Sequence, residues 1–427
     1  LGYKDNPGNV RIILTARGDK VEQCQIITGN QAAALGAKLC RVQVIAAYPI
    51  TPQSKIPEIL AEYVERGELK AEFVRVESEH SALTVCISAS IVGARAFTAT
   101  AANGLAYMHE QLHWAAGARV PIVMPVANRG LGAPWTILND MQDSLSQRDT
   151  GWIQLYCMNN QEVLDNVIMG YRIAEEVLLP VMVCFDGFRL SHTVMPVNVP
   201  SQELVDQYLP PRKPSFSLDS ENPVNINPVV MGELIPGVDG KLWPDYMGIR
   251  RRMQKAHEEA LEAIIQAGKS FGQIFGRTYD SPVMQYKVDD ASAVFLTMGS
   301  LTSEAMEAVD ILRKEGVKVG VVGLRVFRPF PARELSEMLS SLEKIIVVEK
   351  AISYGYETPL ATETKAAICS FSSAPYPLVW SWVVGLGGKD VKPRDLVGIY
   401  HAVSRNVPRE HPLWWHEEEY TYEHAVC

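Results

Sequence analysis

Cysteine is scarce in this sequence and scattered along it: Cys24, Cys40, Cys86, Cys157, Cys184, Cys369 and Cys427, with no two closer than sixteen positions. That spacing holds no C-x-x-C pair, no cluster-binding run and no disulfide framework, which excludes an iron–sulfur cluster borne by this chain alone. Most of the thiols stand among apolar neighbours, as in Val183-Cys184-Phe185, and read as small buried hydrophobes. Long apolar runs are also lacking. Val177 to Phe185 is typical of the longest, far short of the roughly 20 residues of a membrane span. Positive charge is not in excess either. Lys+Arg 40 against Asp+Glu 49 leaves −9, which argues against a broad nucleic-acid or anionic-membrane surface. The amino end, Leu1-Gly-Tyr-Lys-Asp, has neither a signal pattern nor an initiator Met, so a cytoplasmic protein with some upstream residues missing is expected.

What is present is ordinary globular composition, 47% hydrophobic and 21% charged over 427 residues, enough for two or three cores. From about residue 29 to 191, β-branched runs alternate with helical patterns. The spacing predicts helices over 30–39, 55–66, 81–92, 104–117 and 162–176, and strands over 42–47, 72–76, 95–100, 121–126 and 180–185. Such alternation predicts a mainly parallel sheet with helices on both faces. Pro196, Pro200, Pro210, Pro211, Pro214 and Pro223 then crowd one stretch, read as an extended connector, followed by a charged helix over 246–274. A second α/β pattern begins near Ser292. The expected division is therefore 1–193, 194–290 and 291–427. The tail carrying Trp414, Trp415, Glu417, Glu418 and Glu419 reads as neither helix seam nor linker, and its two tryptophans are candidates for a partner contact.

Three segments fall where strands end, the place at which open α/β sheets bind ligands. Tyr48-Pro49-Ile50-Thr51-Pro52 presents a hydroxyl on a stiff turn, although Thr51 could equally cap the helix that follows. Glu77-Ser78-Glu79-His80-Ser81 places two carboxylates and an imidazole before a small-residue helix, more than capping requires, though acidic residues also suit a helix N-terminus. Asn128-Arg129-Gly130 ends an apolar strand in a guanidinium that could hold a carboxylate with two bonds or simply form a surface ion pair. A fourth segment points elsewhere: His109-Glu110-Gln111-Leu112-His113 matches the H-E-x-x-H pattern of zinc hydrolases, without a convincing third ligand.

Taken in order, these segments together with Asp149-Thr150-Gly151-Trp152, Phe185-Asp186-Gly187-Phe188, Leu324-Arg325-Val326-Phe327-Arg328-Pro329 and Gly385-Leu386-Gly387-Gly388 resemble the α subunit of the 2-oxoacid:ferredoxin oxidoreductases, the pyruvate synthase-like group. The resemblance runs through nearly the whole chain. It implies a doubly wound α/β domain that faces the aminopyrimidine of thiamine diphosphate, followed by a transketolase C-terminal-like α/β domain. By it, Glu79 bonds the aminopyrimidine N1′, with Glu77 ranked second, and Thr51 and Arg129 hold the substrate carboxylate. Pro49 and Asn103 are assigned to the cofactor side. A β-type partner subunit would supply the diphosphate–Mg2+ site and a cluster, γ- and δ-type subunits further ferredoxin-like iron–sulfur clusters, and coenzyme A would take the acyl group. The sequence agrees with that division, having no downstream Asn partner for Asp186-Gly187 and no cluster cysteines. Ala102-Asn103-Gly104 stands where pyruvate-type relatives carry Ser-Gln-Gly, and Trp135 follows a cleft segment, so a bulkier acid such as phenylglyoxylate is set beside pyruvate. A zinc hydrolase and a non-catalytic scaffold subunit are the other classes.

Overall fold

The computed structural model describes residues 10–12, 23–213, 234–236, 238–405 and 412–415. Leu1 to Asp5, Pro214, Pro223, the acidic run 417–419 and Cys427 lie outside them.

A seven-stranded sheet carries the first half of the chain. Its order is Val326–Arg328, Ile153–Tyr156, Val181–Asp186, Ile122–Asn128, Ala96–Phe97, Val44–Ala47, Glu72–Arg75. All neighbours are parallel except Val326–Arg328, which joins Ile153–Tyr156 antiparallel. The central strands Ile122–Asn128 and Val181–Asp186 are buried at every position, as expected of strands covered on both faces. Along the second of these, Val181, Val183 and Phe185 enter one core and Met182 and Cys184 the other. The first core lies under helices Gly29–Leu39, Lys55–Glu65, Asn160–Val177 and Tyr246–Phe275. The second lies under helices Glu79–Ile91 and His109–Gly117 and continues into the other half of the molecule. Caps fix where these helices begin. Thr28 accepts from the Gln31 amide while Gln31 accepts from the Thr28 amide, and Asn159 accepts from Glu162.

The second sheet has six strands, in the order Val283–Tyr286, Val319–Leu324, Ala293–Met298, Lys344–Glu349, Leu378–Val383, Leu413–Trp414, with only the first antiparallel to its neighbour. The protein is thus a doubly wound α/β domain followed by a transketolase C-terminal-like α/β domain.

Several expectations need correction. The proline-rich stretch is not simply extended. Met195–Val199 pairs with Gln23–Ile27 as an edge strand, where a proline is tolerated, and Gln202–Tyr208 is a helix capped by Ser201. The helix expected over 104–117 is two, Ala102–Tyr107 and His109–Gly117, meeting at Met108. The short strand Ile153–Tyr156 was not predicted, because four residues, Ile-Gln-Leu-Tyr, are too few to show a period. The tail folds back as Leu413–Trp414, and the Trp415 ring packs on Trp382 with centroids 6.0 Å apart, which leaves Trp414 as the exposed one of the pair. Of the described cysteines, Cys40, Cys86, Cys157 and Cys184 are buried, Cys24 is intermediate and Cys369 exposed.

Candidate active site

In the seven-stranded sheet the winding reverses at Val44–Ala47, which has Glu72–Arg75 on one side and Ala96–Phe97 on the other. Loops leaving the carboxyl ends of such strands diverge and open a crevice. Three loops meet there: the one after Ala47, the one after Phe97 and the one after Asn128.

The first loop, Tyr48 to Pro52, is fastened from three sides. Gln53, fully buried, donates to the Tyr48 carbonyl at 3.0 Å and to the Ala99 carbonyl at 2.6 Å. Asn30 donates to the Pro52 carbonyl at 2.7 Å, and Arg129 to the Thr51 carbonyl at 2.8 Å. Thr51 and Pro49 are exposed. The next helix, Lys55–Glu65, begins at Ser54 without a side-chain cap, so the Thr51 hydroxyl is not spent on capping.

The two carboxylates beside that crevice differ sharply. Glu77 is exposed and accepts from the Ser81 hydroxyl, which holds its carboxyl below the usual range; it forms no ion pair with Arg75. Glu79, the first residue of its helix, is only 8% exposed. Among the described residues its carboxylate accepts no hydrogen bond. Its neighbours are Thr100, whose buried hydroxyl has no partner, and Gly104; a Cβ on Gly104 would lie 2.7 Å from Glu79 Oε1 and 2.6 Å from Thr100 Oγ1. Burying an ionisable group unpaired is costly, so this pocket is shaped for something that pairs with it.

Arg129 is the cationic counterpart, 9% exposed. Its Nε donates to the Thr136 carbonyl at 3.0 Å and its Nη1 to Thr51, and no carboxylate ion-pairs with it among the described residues. The surface ion-pair alternative is therefore overturned. Asn103 is half-buried and its Oδ1 accepts from the Gly132 amide at 3.2 Å, joining the second loop to the third. Trp135 is 73% exposed.

The sequence reading missed Gln53 and Asp143, buried polar residues without a motif, and took Asn128 only as the neighbour of Arg129. Asn128 donates to Asp143 at 2.8 Å and to Ser144 at 2.7 Å. The sequence clues to them are slight, an Asn ending a wholly apolar strand and an Asp followed by Ser.

His109 and His113 touch edge to face, centroids 4.9 Å apart. His109 Nδ1 lies 2.6 Å from Gln147 Oε1, and Glu110, mostly exposed, sits 3.6 Å from His80. No group of three or more His, Cys, Asp or Glu side chains is arranged for a metal among the described residues. A cavity of about 260 Å3 between the two sheets, bordered by Gly187, Ser300, Lys350 and Gly388, includes neither Glu79 nor Arg129; its buried Lys350 is already paired with Asp186. The chemistry-bearing groups lie instead in the open crevice.

The family model for the thiamine-diphosphate-binding part of pyruvate flavodoxin/ferredoxin oxidoreductases matches residues 35–258, and that for core domain II of pyruvate:ferredoxin oxidoreductase matches 291–396. The chain is an α subunit of the 2-oxoacid:ferredoxin oxidoreductase family. Ketoisovalerate oxidoreductase subunit VorA of Pyrococcus horikoshii is 48% identical over 90% of this chain and 94% of its own length. Pyruvate synthase subunit PorA of Methanothermobacter thermautotrophicus is 43% identical over 92% and 97%. Among solved structures, a 2-oxoglutarate:ferredoxin oxidoreductase of Magnetococcus marinus superposes at TM-score 0.64 and 20% identity, over 90% of this chain and 65% of that one. A split-gene transketolase superposes at 0.51 and 14% identity, over 89% and 97%. Both share the fold. The matched family model is a thiamine-diphosphate-binding one, and the relatives are named as subunits. The crevice fits that cofactor: Glu79, Thr100 and Gly104 form a polar cradle with unmet bonds. No helix among the described residues is long and apolar enough to cross a membrane.

Proposed function

We propose that this chain forms half of an active site that oxidatively decarboxylates a 2-oxoacid with coenzyme A, giving acyl-CoA, carbon dioxide, a proton and two electrons. The observation that carries the reading is Arg129, a buried guanidinium bonded to the Thr51 loop with no carboxylate partner among the described residues; Glu79 is a second buried ionisable group that accepts no hydrogen bond there. When bound, thiamine diphosphate supplies the carbon nucleophile and electron sink that such a decarboxylation requires. Glu79 holds a proton at the aminopyrimidine N1′, and burial strengthens that bond by excluding water. Arg129 binds the substrate carboxylate with its remaining N–H groups, and the Thr51 hydroxyl adds a donor across the crevice. Pro49 and Asn103 border the cofactor side. A β-type subunit supplies the diphosphate–Mg2+ site, and iron–sulfur clusters on it and on γ- and δ-type subunits take the electrons.

For substrate we place a branched aliphatic 2-oxoacid first. Relatives at 48% identity are named for ketoisovalerate, those at 43–45% for pyruvate, and the exposed Trp135 encloses no aromatic pocket in this chain that would single out phenylglyoxylate. The purified complex should reduce a viologen dye with coenzyme A fastest on 3-methyl-2-oxobutanoate, against pyruvate and phenylglyoxylate as competitors. In the same complex Glu79→Gln should slow hydrogen–deuterium exchange at C2 of the bound cofactor, and Glu77→Gln should not. The reverse pattern would remove Glu79 from its role. Full turnover in both Glu79→Gln and Arg129→Ala would leave a scaffold subunit.

A further inference from the structure

We infer that Asp143 is the positioning residue that sets the Arg129 loop and the Ala102–Gly104 loop against each other, and so fixes the substrate anchor relative to the Glu79 cradle. The inference rests on the proposed roles of Arg129 and Glu79. Asp143 follows the crevice on the short helix Gln142–Leu145 and is fully buried. Its Oδ2 accepts from the backbone amide of Ala102 at 2.9 Å and from that of Arg129 at 3.0 Å. One oxygen thereby clamps two loops that come from different strands. Its Oδ1 accepts from Asn128 at 2.8 Å and from the Ser144 amide at 2.8 Å, which stops the carboxylate from turning. Ser144 is held in turn by the Tyr156 hydroxyl at 2.8 Å.

A second observation makes the clamp more than packing. Ala102 sits at φ +44°, in the left-handed region that a Cβ disfavours. Something must hold the backbone there, and the Ala102 amide is bonded to Asp143. That turn aims Asn103 at Gly132 and lays Gly104 against the Glu79 carboxylate. Four donors converge on this carboxylate, yet no cation does: neither Lys nor Arg ion-pairs with it among the described residues. Burial pushes its pKa up to about 7 despite those bonds, which favour the ionised form. A group kept at such a site serves the two loops it joins.

The test uses the whole complex. Asp143→Asn keeps size and one acceptor oxygen but turns the other position into a donor facing donors. We expect KM for the 2-oxoacid to rise about tenfold and kcat to fall by a similar factor, as loss of bonds to a charged group would give. A purely structural role would lower the yield of active complex and leave KM unmoved. Adding Ala102→Gly to Asp143→Asn relieves the left-handed strain, so kcat should recover while KM stays high. Should Asp143→Asn not assemble, hydrogen exchange in the wild-type complex decides: the Ala102 and Arg129 amides must fall in its slowest class. Unchanged KM in Asp143→Asn, or fast exchange at both amides, overturns the inference. If instead Arg129→Ala leaves KM untouched, the anchor assignment fails first, and Asp143 loses the role with it.

Discussion

At the scale of single residues, Arg129 is an ion buried without a carboxylate partner among the described residues. Its Nε and Nη1 are committed to the Thr136 and Thr51 carbonyls. A buried charge left unpaired costs several kcal/mol, a cost that a substrate carboxylate bound there, as proposed above, would offset. Arg129→Ala should lower kcat/KM by on the order of 3 kcal/mol, and Arg129→Lys should recover less than half, since a point charge cannot make two carbonyl bonds and a forked contact together. Steady-state kinetics of the complex measures both; near-normal values for Arg129→Ala would return the residue to a structural role. Arg129 was legible in the sequence because a cation ending an apolar strand is out of place. Glu79 stood out too, ranked above Glu77 by the family resemblance, and the two also differ in burial. Asp143 was not legible. Its partners are backbone amides 14 and 41 positions away, and no spacing rule registers a bond of that kind.

At the scale of elements, the active crevice depends on two helices packing more closely than ordinary side chains allow. Gly104 lies inside the short helix Ala102–Tyr107, where glycine is intrinsically poor, and the reason is the neighbouring Glu79. Gly104→Ala sets two effects against each other. The helix gains roughly 0.5–1 kcal/mol of backbone propensity, while the new Cβ stands 2.7 Å from Glu79 Oε1 and 2.9 Å from its Cγ and forces the side chain aside. The same Cβ stands 2.6 Å from the Oγ1 of the buried Thr100, and overpacking of about 1–3 kcal/mol outweighs the propensity gain. Tm should therefore fall modestly while turnover falls by about tenfold or more, as calorimetry and dye reduction would show. Normal turnover would mean that Glu79 moves freely and that the cradle is not rigid. Elements with strong periodicity were readable, as the helix Tyr246–Phe275 and the wholly apolar strands illustrate. The break at Met108 was not, because both flanking segments have helical composition and only the packing of Ala102–Tyr107 against its neighbours separates them. Proline density misled in the stretch after residue 194, since an edge strand tolerates Pro196 and a capped helix of two turns fits between Pro200 and Pro210.

At the scale of the whole molecule, the two sheets are joined by more than a linker. Val326–Arg328 adds a strand to the first sheet, and Arg325 pairs with the buried Glu162 at 3.3 Å. A buried ion pair ties them as well: Lys350, just after Lys344–Glu349, lies 2.7 Å from Asp186, at the end of Val181–Asp186. Asp186 also accepts from Ser300 Oγ at 2.7 Å and Asn139 Nδ2 at 2.8 Å. An intact pair of this sort stabilises little relative to apolar packing, yet removing one partner leaves the other charge stranded. Lys350→Met should thus destabilise the subunit by about 3 kcal/mol or more, seen as a lower Tm at fixed complex concentration. Pairing it with Asp186→Asn removes the stranded charge, and Ser300 and Asn139 can still bond the amide, so the double variant should be more stable than Lys350→Met alone. Because Asp186 is the register partner of Asn128, the residue before Arg129, Lys350→Met should also raise KM for the 2-oxoacid modestly. Additive effects of the two substitutions on Tm would show that the two charges do not interact and that the ion pair contributes nothing to joining the sheets.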